Sequence, residues 1–166
     1  MNEHAIDARL RQAGIVLPEP PAPAGSYRPV VCRGTLGFVS GQFPFTHGRL
    51  SHAGRVGAEL TPEQGRECAA IAAANGLAQI RAALGGWARF GGLLRVEGHV
   101  ASAPGFLEQP LVLDGASEFF VRALGPELGA HARTAFHATR LPIDAPVELA
   151  VTFLAIRCRR NPRGKD

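Results

Sequence analysis

The sequence has no long hydrophobic run and few cysteines. No apolar stretch approaches the roughly 20 residues of a membrane-spanning helix, so we expect no membrane association. The N-terminal segment lacks the basic start and apolar stretch of a secretory signal. The three cysteines, Cys32, Cys68 and Cys158, do not have the spacing of a disulfide framework or of a zinc site. These absences predict a cytoplasmic protein in reducing surroundings.

The fractions of aromatic and charged residues are also low, at 7% and 19% of a chain of 166 residues. The net charge is +4, and the ten residues 157–166 carry all of that excess. The rest of the chain is therefore close to neutral, without the interleaved basic and aromatic residues of a nucleic-acid surface. We interpret the basic tail as a solvated terminus and expect no nucleic-acid partner.

Hydrophobic periodicity and turn residues predict one α/β domain of two layers, with the element order β-β-α-β-α-β-β. A short N-terminal helix (5–14) and a Pro-rich connector form a leader over residues 1–24. The domain itself spans 25–157, and a basic tail covers 158–166. In the first long helix, Thr61 to Gln64 form a capping box and Gly85 ends the helix. The second helix is expected around 114–125, capped by Asp114 or Ser117.

The pattern of the last strand predicts a sheet that is buried on both faces. Val147, Leu149 and Val151 point to one side, and Ala150, Leu154 and Ile156 point to the other. The β-α-β step from Leu93 to Thr139 implies a right-handed crossover between parallel strands. The two long helices are enough to cover one face of such a sheet only. Because an exposed apolar sheet face favours aggregation, we infer that a second copy of the chain covers it.

Two charges stand in strands that should be buried. Arg133 has a small neighbour, Ala135, on the same side of its strand, which leaves room for a ligand carboxylate beside the guanidinium. Glu148 is either the partner of Arg133 in a structural ion pair or a base near the same space. The residues alone leave both alternatives open.

Four motifs together resemble the Rid/YjgF family of enamine/imine deaminases: "GSY" at 25–27, "FVSGQFP" at 38–44, "HAR" at 131–133 and "LPIDAPVEL" at 141–149. The resemblance spans nearly all of 25–156. It implies a chorismate-mutase-like mixed sheet with two helices on one face. It also implies a homotrimer with ligand clefts between subunits.

The resemblance also implies roles for individual residues. Arg133 would bind the carboxylate of a 2-imino acid, and Glu148 would position the attacking water. Tyr27 and Ser40 would lie along the cleft, and the backbone at Ala135 would contact the substrate. Asp114 falls where the family has asparagine, so its charge would stand near an anionic substrate. We expect Arg133 to be free of ion pairs with its own chain and to share a cleft with Glu148.

The implied reaction is hydrolysis of small 2-imino or enamine acids to 2-oxo acids and ammonia. It needs no cofactor, and the sequence has no P-loop, no dinucleotide fingerprint and no HExxH motif. His131 and His137 lie on the same side of their strand as Arg133. No carboxylate has the spacing to complete a metal site with them, so we predict no metal site. The alternatives are a non-catalytic trimer that binds a carboxylated metabolite and, less favoured, an RNA-directed role.

Overall fold

A computed structural model describes residues 3–156 of the chain. Its main sheet has five strands in the order β1-β2-β7-β5-β6, in which only β5 and β6 are parallel. A two-stranded hairpin, β3–β4, lies apart from this sheet. The strands are β1 Val30–Arg33, β2 Leu36–Gln42, β3 Phe45–Thr46, β4 Arg49–Leu50, β5 Phe90–Ala101, β6 Ala132–Ala138 and β7 Val147–Ala155.

The α/β class and the predicted element order are confirmed. The parallel pairing of β5 with β6 is the expected crossover through α3, Gln109–Leu128. The segment 44–60, whose glycines and polar residues are typical of a loop, is more ordered than that composition indicates. It contains β4 and the fully buried Val56, which bridges to Ser102 at the end of β5.

The helix α2, Pro62–Leu84, begins and ends where the sequence predicts. The Thr61 side chain accepts a hydrogen bond from the Gln64 N–H, and the Gln64 side chain accepts one from the Thr61 N–H. Gly85 ends the helix in the left-handed conformation, with φ at 68°. Local side-chain chemistry therefore sets both helix ends.

Thr61→Ala removes one half of the capping box. We expect it to lower the free energy of unfolding by about 1 kcal/mol, because the Gln64 N–H loses its acceptor. Urea denaturation at neutral pH measures the change. Thr61→Ser keeps the hydroxyl and is the matched control, expected to stay within about 0.5 kcal/mol of the wild type. Equal losses in both variants would contradict a capping role.

The helix α3 starts five residues earlier than predicted. Its N-cap is Glu108, with Pro110 in the first turn, so the predicted capping role of Asp114 or Ser117 is wrong. Both residues lie inside the helix and present polar side chains to β6. The helix breaks at Gly125, where φ is 87°, and Pro126 follows, so the predicted stop is a kink.

Both α2 and α3 pack on the same face of the sheet, while α1, Glu3–Gln12, packs on α3. The odd-numbered residues of β7, from Val147 to Ala155, are buried under the helices. Its even-numbered residues, from Glu148 to Leu154, are only partly buried, because no helix covers that side. Leu36, Phe38 and Phe136 share this outer face by strand register and are 41–47% exposed. The uncovered apolar face is thus present as predicted.

The N-terminal helix belongs to the same hydrophobic core as the rest of the chain. Ile6 and Leu10 are 3% and 6% exposed, and Trp87 donates a hydrogen bond to Asp7 at 3.2 Å. Gln79 on α2 donates to the Pro21 carbonyl at 2.6 Å and so holds the Pro-rich connector. The division into a leader over 1–24 and a domain over 25–157 stays a prediction, and the basic tail 158–166 lies outside the described residues.

Candidate functional site

Arg133 lies on β6, an edge strand, and its side chain points to the helix-covered face. Its register partner on β5 is Val96, which is fully buried on that face. The guanidinium Nη1 donates to Asp114 Oδ1 and to Ser117 Oγ, both at 2.9 Å, and Nη2 donates to the Pro110 carbonyl at 3.1 Å. The expectation that Arg133 has no ion pair with its own chain is therefore wrong. The helix α3 starts early enough to bring Asp114 opposite it.

The bonds to α3 do not use all donors of Arg133. A guanidinium has five N–H groups, and three are engaged here, which leaves the Nε–H and one Nη2–H. The side chain is 21% exposed, so the guanidinium with these two donors is partly accessible. A carboxylate accepts two parallel N–H bonds in this side-on geometry.

A hydrogen-bond chain extends from Arg133 to His131. His131 Nδ1 donates to the Gly129 carbonyl at 2.7 Å, because a carbonyl only accepts. The ring Nε2 then accepts from Ser117 Oγ at 3.0 Å, and the same hydroxyl accepts from Arg133. Burial lowers the pKa of His131, and the charge of Arg133 lowers it further. His131 is thus held neutral and fixes the Ser117 hydroxyl.

Asp114 stands between two arginines. Its Oδ1 accepts from Arg133, and its Oδ2 lies 3.9 Å from Arg66 Nη1. Arg66 is itself paired with both oxygens of Glu118, at 2.8 and 2.9 Å. These four side chains form two cations and two anions, so the cluster around Arg133 has no net charge.

Glu148 lies on β7 and faces the opposite side of the sheet from Arg133. Its register partner is His99 on β5, and the His99 ring stacks on Phe136 of β6 with centroids 5.1 Å apart. Arg133 and Glu148 therefore neither form an ion pair nor share a cleft within one chain. A structural Arg–Glu bridge within one chain is therefore wrong. The sequence spacing gives strand parity but not which parity of each strand faces the helices.

Tyr27 and Ser40 lie close together. They line a small recess with Gly41, of about 30 Å³, which has room for one or two water molecules. A Cβ atom on Gly41 would lie 2.7 Å from Glu148 Cδ, so the absence of a side chain there admits the carboxylate. The Tyr27 hydroxyl accepts a hydrogen bond from the Ala24 N–H at 3.3 Å.

The predicted site residues thus form two groups. The first, called the anchor group after the predicted role of Arg133, contains Arg133, Asp114 and Ala135 on the helix side. The second, called the base group after the predicted role of Glu148, contains Glu148 together with Tyr27 and Ser40, which line the recess at Gly41. Sequence analysis did not find Ser117 as a partner of Arg133, or Arg66. A serine three residues after Asp114, one helical turn away, was the available signal for Ser117. Arg66 had none, because it comes from the neighbouring helix.

A second, larger cavity contains none of these residues. It has a volume of about 880 Å³ and lies between the Pro-rich connector, the β3–β4 hairpin and α2. Over residues 3–156, no three histidine, cysteine or acidic side chains come together as metal ligands. No helix in that range is both long and apolar enough to cross a membrane.

Partial burial raises the pKa of Glu148, and the nearby His99 offsets part of this effect. The folded state therefore retains the proton to higher pH than the unfolded state, whose carboxyl titrates near 4.5. Its contribution to stability is full below that pH and is lost as pH rises through the folded-state pKa. The raised pKa of Glu148 is therefore closer to the pKa of an effective general base, which lies near the working pH.

Glu148→Gln removes this titration. We expect the variant to gain stability relative to the wild type as pH rises from 4 to 7, because the wild type must bury a charge there and the amide does not. Thermal unfolding at several pH values measures the difference. Glu67→Gln, at an exposed position on α2, is the control. If the difference in stability between the wild type and Glu148→Gln does not change with pH, the raised pKa is ruled out.

Comparison with known proteins finds a family model and a relative that each match most of the chain. The family model described as "YjgF/chorismate mutase-like, putative endoribonuclease" matches residues 7–155. Protein TCP17 of Trypanosoma cruzi is 38% identical over 144 residues, covering 87% of this chain and 90% of that protein.

Two crystal structures are similar along most of the chain. Atu1372 of Agrobacterium tumefaciens, a protein of unknown function, is 36% identical with a TM-score of 0.83. The match covers 93% of this chain and 94% of the Atu1372 chain. A Shewanella oneidensis protein described as a putative endoribonuclease is 31% identical with a TM-score of 0.86, covering 91% and 99%.

Proposed function

Because the chain belongs to the YjgF/chorismate mutase-like family, we propose that it hydrolyses small 2-imino acids to 2-oxo acids and ammonia. The resemblance to that family found in the sequence is confirmed. The observation that carries the proposal is the partly accessible edge of Arg133. Three bonds to α3 fix the guanidinium, and its Nε–H and one Nη2–H remain for a carboxylate.

The reaction needs only a few protein groups. Water adds to the imine carbon, and the resulting carbinolamine loses ammonia to give the 2-oxo acid. Glu148 accepts a proton from the water and returns it to the leaving nitrogen, a role that its raised pKa favours. Arg133 supplies orientation by holding the carboxylate. Tyr27 and Ser40 line the recess that includes Gly41, on which the Glu148 side chain packs, and they would contact the rest of the substrate.

The two groups of residues point to an assembly. Arg133 and Glu148 lie on opposite faces of one sheet, and the recess at Tyr27 is too small for a three-carbon acid. A complete site would therefore combine the anchor group of one copy with the base group of the next. The surfaces involved differ, so the contact is heterologous and closes as a ring, which fits the homotrimer that the family resemblance implies.

The test is direct. 2-Iminopropanoate or 2-iminobutanoate is generated with an amino-acid oxidase, and its disappearance is followed with and without the protein. Faster hydrolysis with the protein supports the proposal, and equal rates contradict it. Thermal stabilisation by 2-oxo acids without turnover would instead favour a metabolite-binding protein, since a bound ligand stabilises the folded state.

A further inference from the structure

The charge balance around Arg133 has a consequence for ligand choice that rests on the proposed function. A free guanidinium attracts any carboxylate, but here Asp114 already neutralises it at 2.9 Å, and Glu118 neutralises Arg66. His131, whose pKa is lowered by burial and by the charge of Arg133, adds no positive charge. An incoming anion therefore gains two hydrogen bonds from Arg133 but no net attraction.

Asp114 also offers an acceptor to the ligand. Its side chain is 38% exposed, and its Oδ2 accepts no hydrogen bond within the described residues, with Arg66 Nη1 at 3.9 Å. The site thus presents two N–H donors of Arg133 and, on the carboxylate that Arg133 Nη1 binds, one acceptor oxygen. This combination complements a ligand that bears both a carboxylate and a positively charged nitrogen.

We propose that Asp114 is a specificity-determining residue that makes the site select net-neutral acids with a cationic nitrogen over net-negative 2-oxo acids. A 2-imino acid with a protonated nitrogen is net neutral, whereas its hydrolysis product carries one negative charge. The Asp114 carboxylate repels the product more than the substrate. The ion pair with Arg133 thereby favours substrate binding and product release.

Pyruvate and alanine are matched probes, because they share three carbons and a carboxylate but differ in the charged nitrogen. Isothermal titration or ligand-observed NMR with the full chain measures both affinities. In Asp114→Asn, which keeps the side-chain size, we expect pyruvate to bind about tenfold more tightly, the effect of one like charge nearby at an intermediate dielectric. Alanine should change by less than about twofold or bind more weakly, since it also loses an attraction.

Further variants separate the possible outcomes. Asp114→Ser should shift the pyruvate affinity in the same direction, and Glu127→Gln, which removes a charge at an exposed position of the same helix, should not. The gain for pyruvate should shrink at high salt, because the repulsion is electrostatic. Equal shifts for both probes in Asp114→Asn, or none for either, would overturn the specificity role.

Arg133→Ala distinguishes this failure from failure of the proposed function. If it abolishes pyruvate binding while Asp114→Asn does not discriminate, only the role of Asp114 is overturned. If pyruvate binding does not depend on Arg133, both the specificity role and the carboxylate anchor are overturned.

Discussion

Arg133→Ala is expected to lower kcat/KM for 2-iminopropanoate by about 100-fold, toward the rate of unaided hydrolysis. The substitution removes the two side-on donors that would hold the carboxylate, and a charged hydrogen-bond pair of this kind is worth about 2–5 kcal/mol. It also removes the orientation of the imine carbon toward the water. The coupled oxidase assay, corrected for the protein-free rate, measures the loss.

Two further variants make the result specific. Arg133→Lys keeps the charge but lacks the planar fork, so most of the loss should remain. Arg140→Ala removes a more exposed arginine, 68% accessible and paired with Asp144, and should keep wild-type activity. Thermal unfolding of all variants separates lost activity from lost folding. Wild-type kcat/KM in a folded Arg133→Ala protein would contradict the carboxylate anchor.

Much of the fold could be predicted because its signals are local. The capping box at Thr61 and the glycine at position 85 fix α2 by contacts within one helical turn. Alternation along β7 predicted two apolar sides, and the structure buries one while leaving the other without a helix. The crossover rule predicted the parallel pairing of β5 with β6. Each of these inferences needs only neighbouring residues or a general rule of chain topology.

The site could be predicted only in part, because its key contacts join distant segments. Parity identified Arg133 and Ala135 as members of one face, and Glu148 stood out as a charge in a buried strand. The motif resemblance supplied Tyr27 and Ser40. The partner of Arg133 was missed, because α3 starts at Gln109, with Pro110 in its first turn, and not at the expected cap. Once the helix starts there, Asp114 falls opposite the guanidinium.

The separation of Arg133 from Glu148 was also beyond the sequence. Strand β5 lies between β6 and β7, and the register pairs Arg133 with Val96 but Glu148 with His99. Adjacent residues of a strand alternate between faces, so a difference in register parity places the two charges on opposite sides. No spacing within either strand reveals that relationship. The same geometry makes the assembly testable through activity.

Mixed assemblies of two inactive variants should recover activity. Arg133→Ala and Glu148→Gln are each expected to be nearly inactive, since each lacks one half of every site. In a ring-shaped trimer with both variants, one site in three receives the intact Arg133 from one copy and the intact Glu148 from the next. Tandem purification through two different tags isolates such trimers. We expect about a third of wild-type kcat per trimer, whether the variants are present at two to one or one to two.

The control for this experiment pairs Arg133→Ala with the double variant Arg133→Ala/Glu148→Gln. These mixed trimers contain no Arg133, so they should remain inactive although they assemble in the same way. Recovery only in the first mixture would place the anchor and the base on different copies, as their positions on opposite faces of the sheet require. If both residues served one site from the same chain, neither mixture would exceed the activity of the single variants. Failure to isolate any mixed assembly would contradict the proposed ring itself.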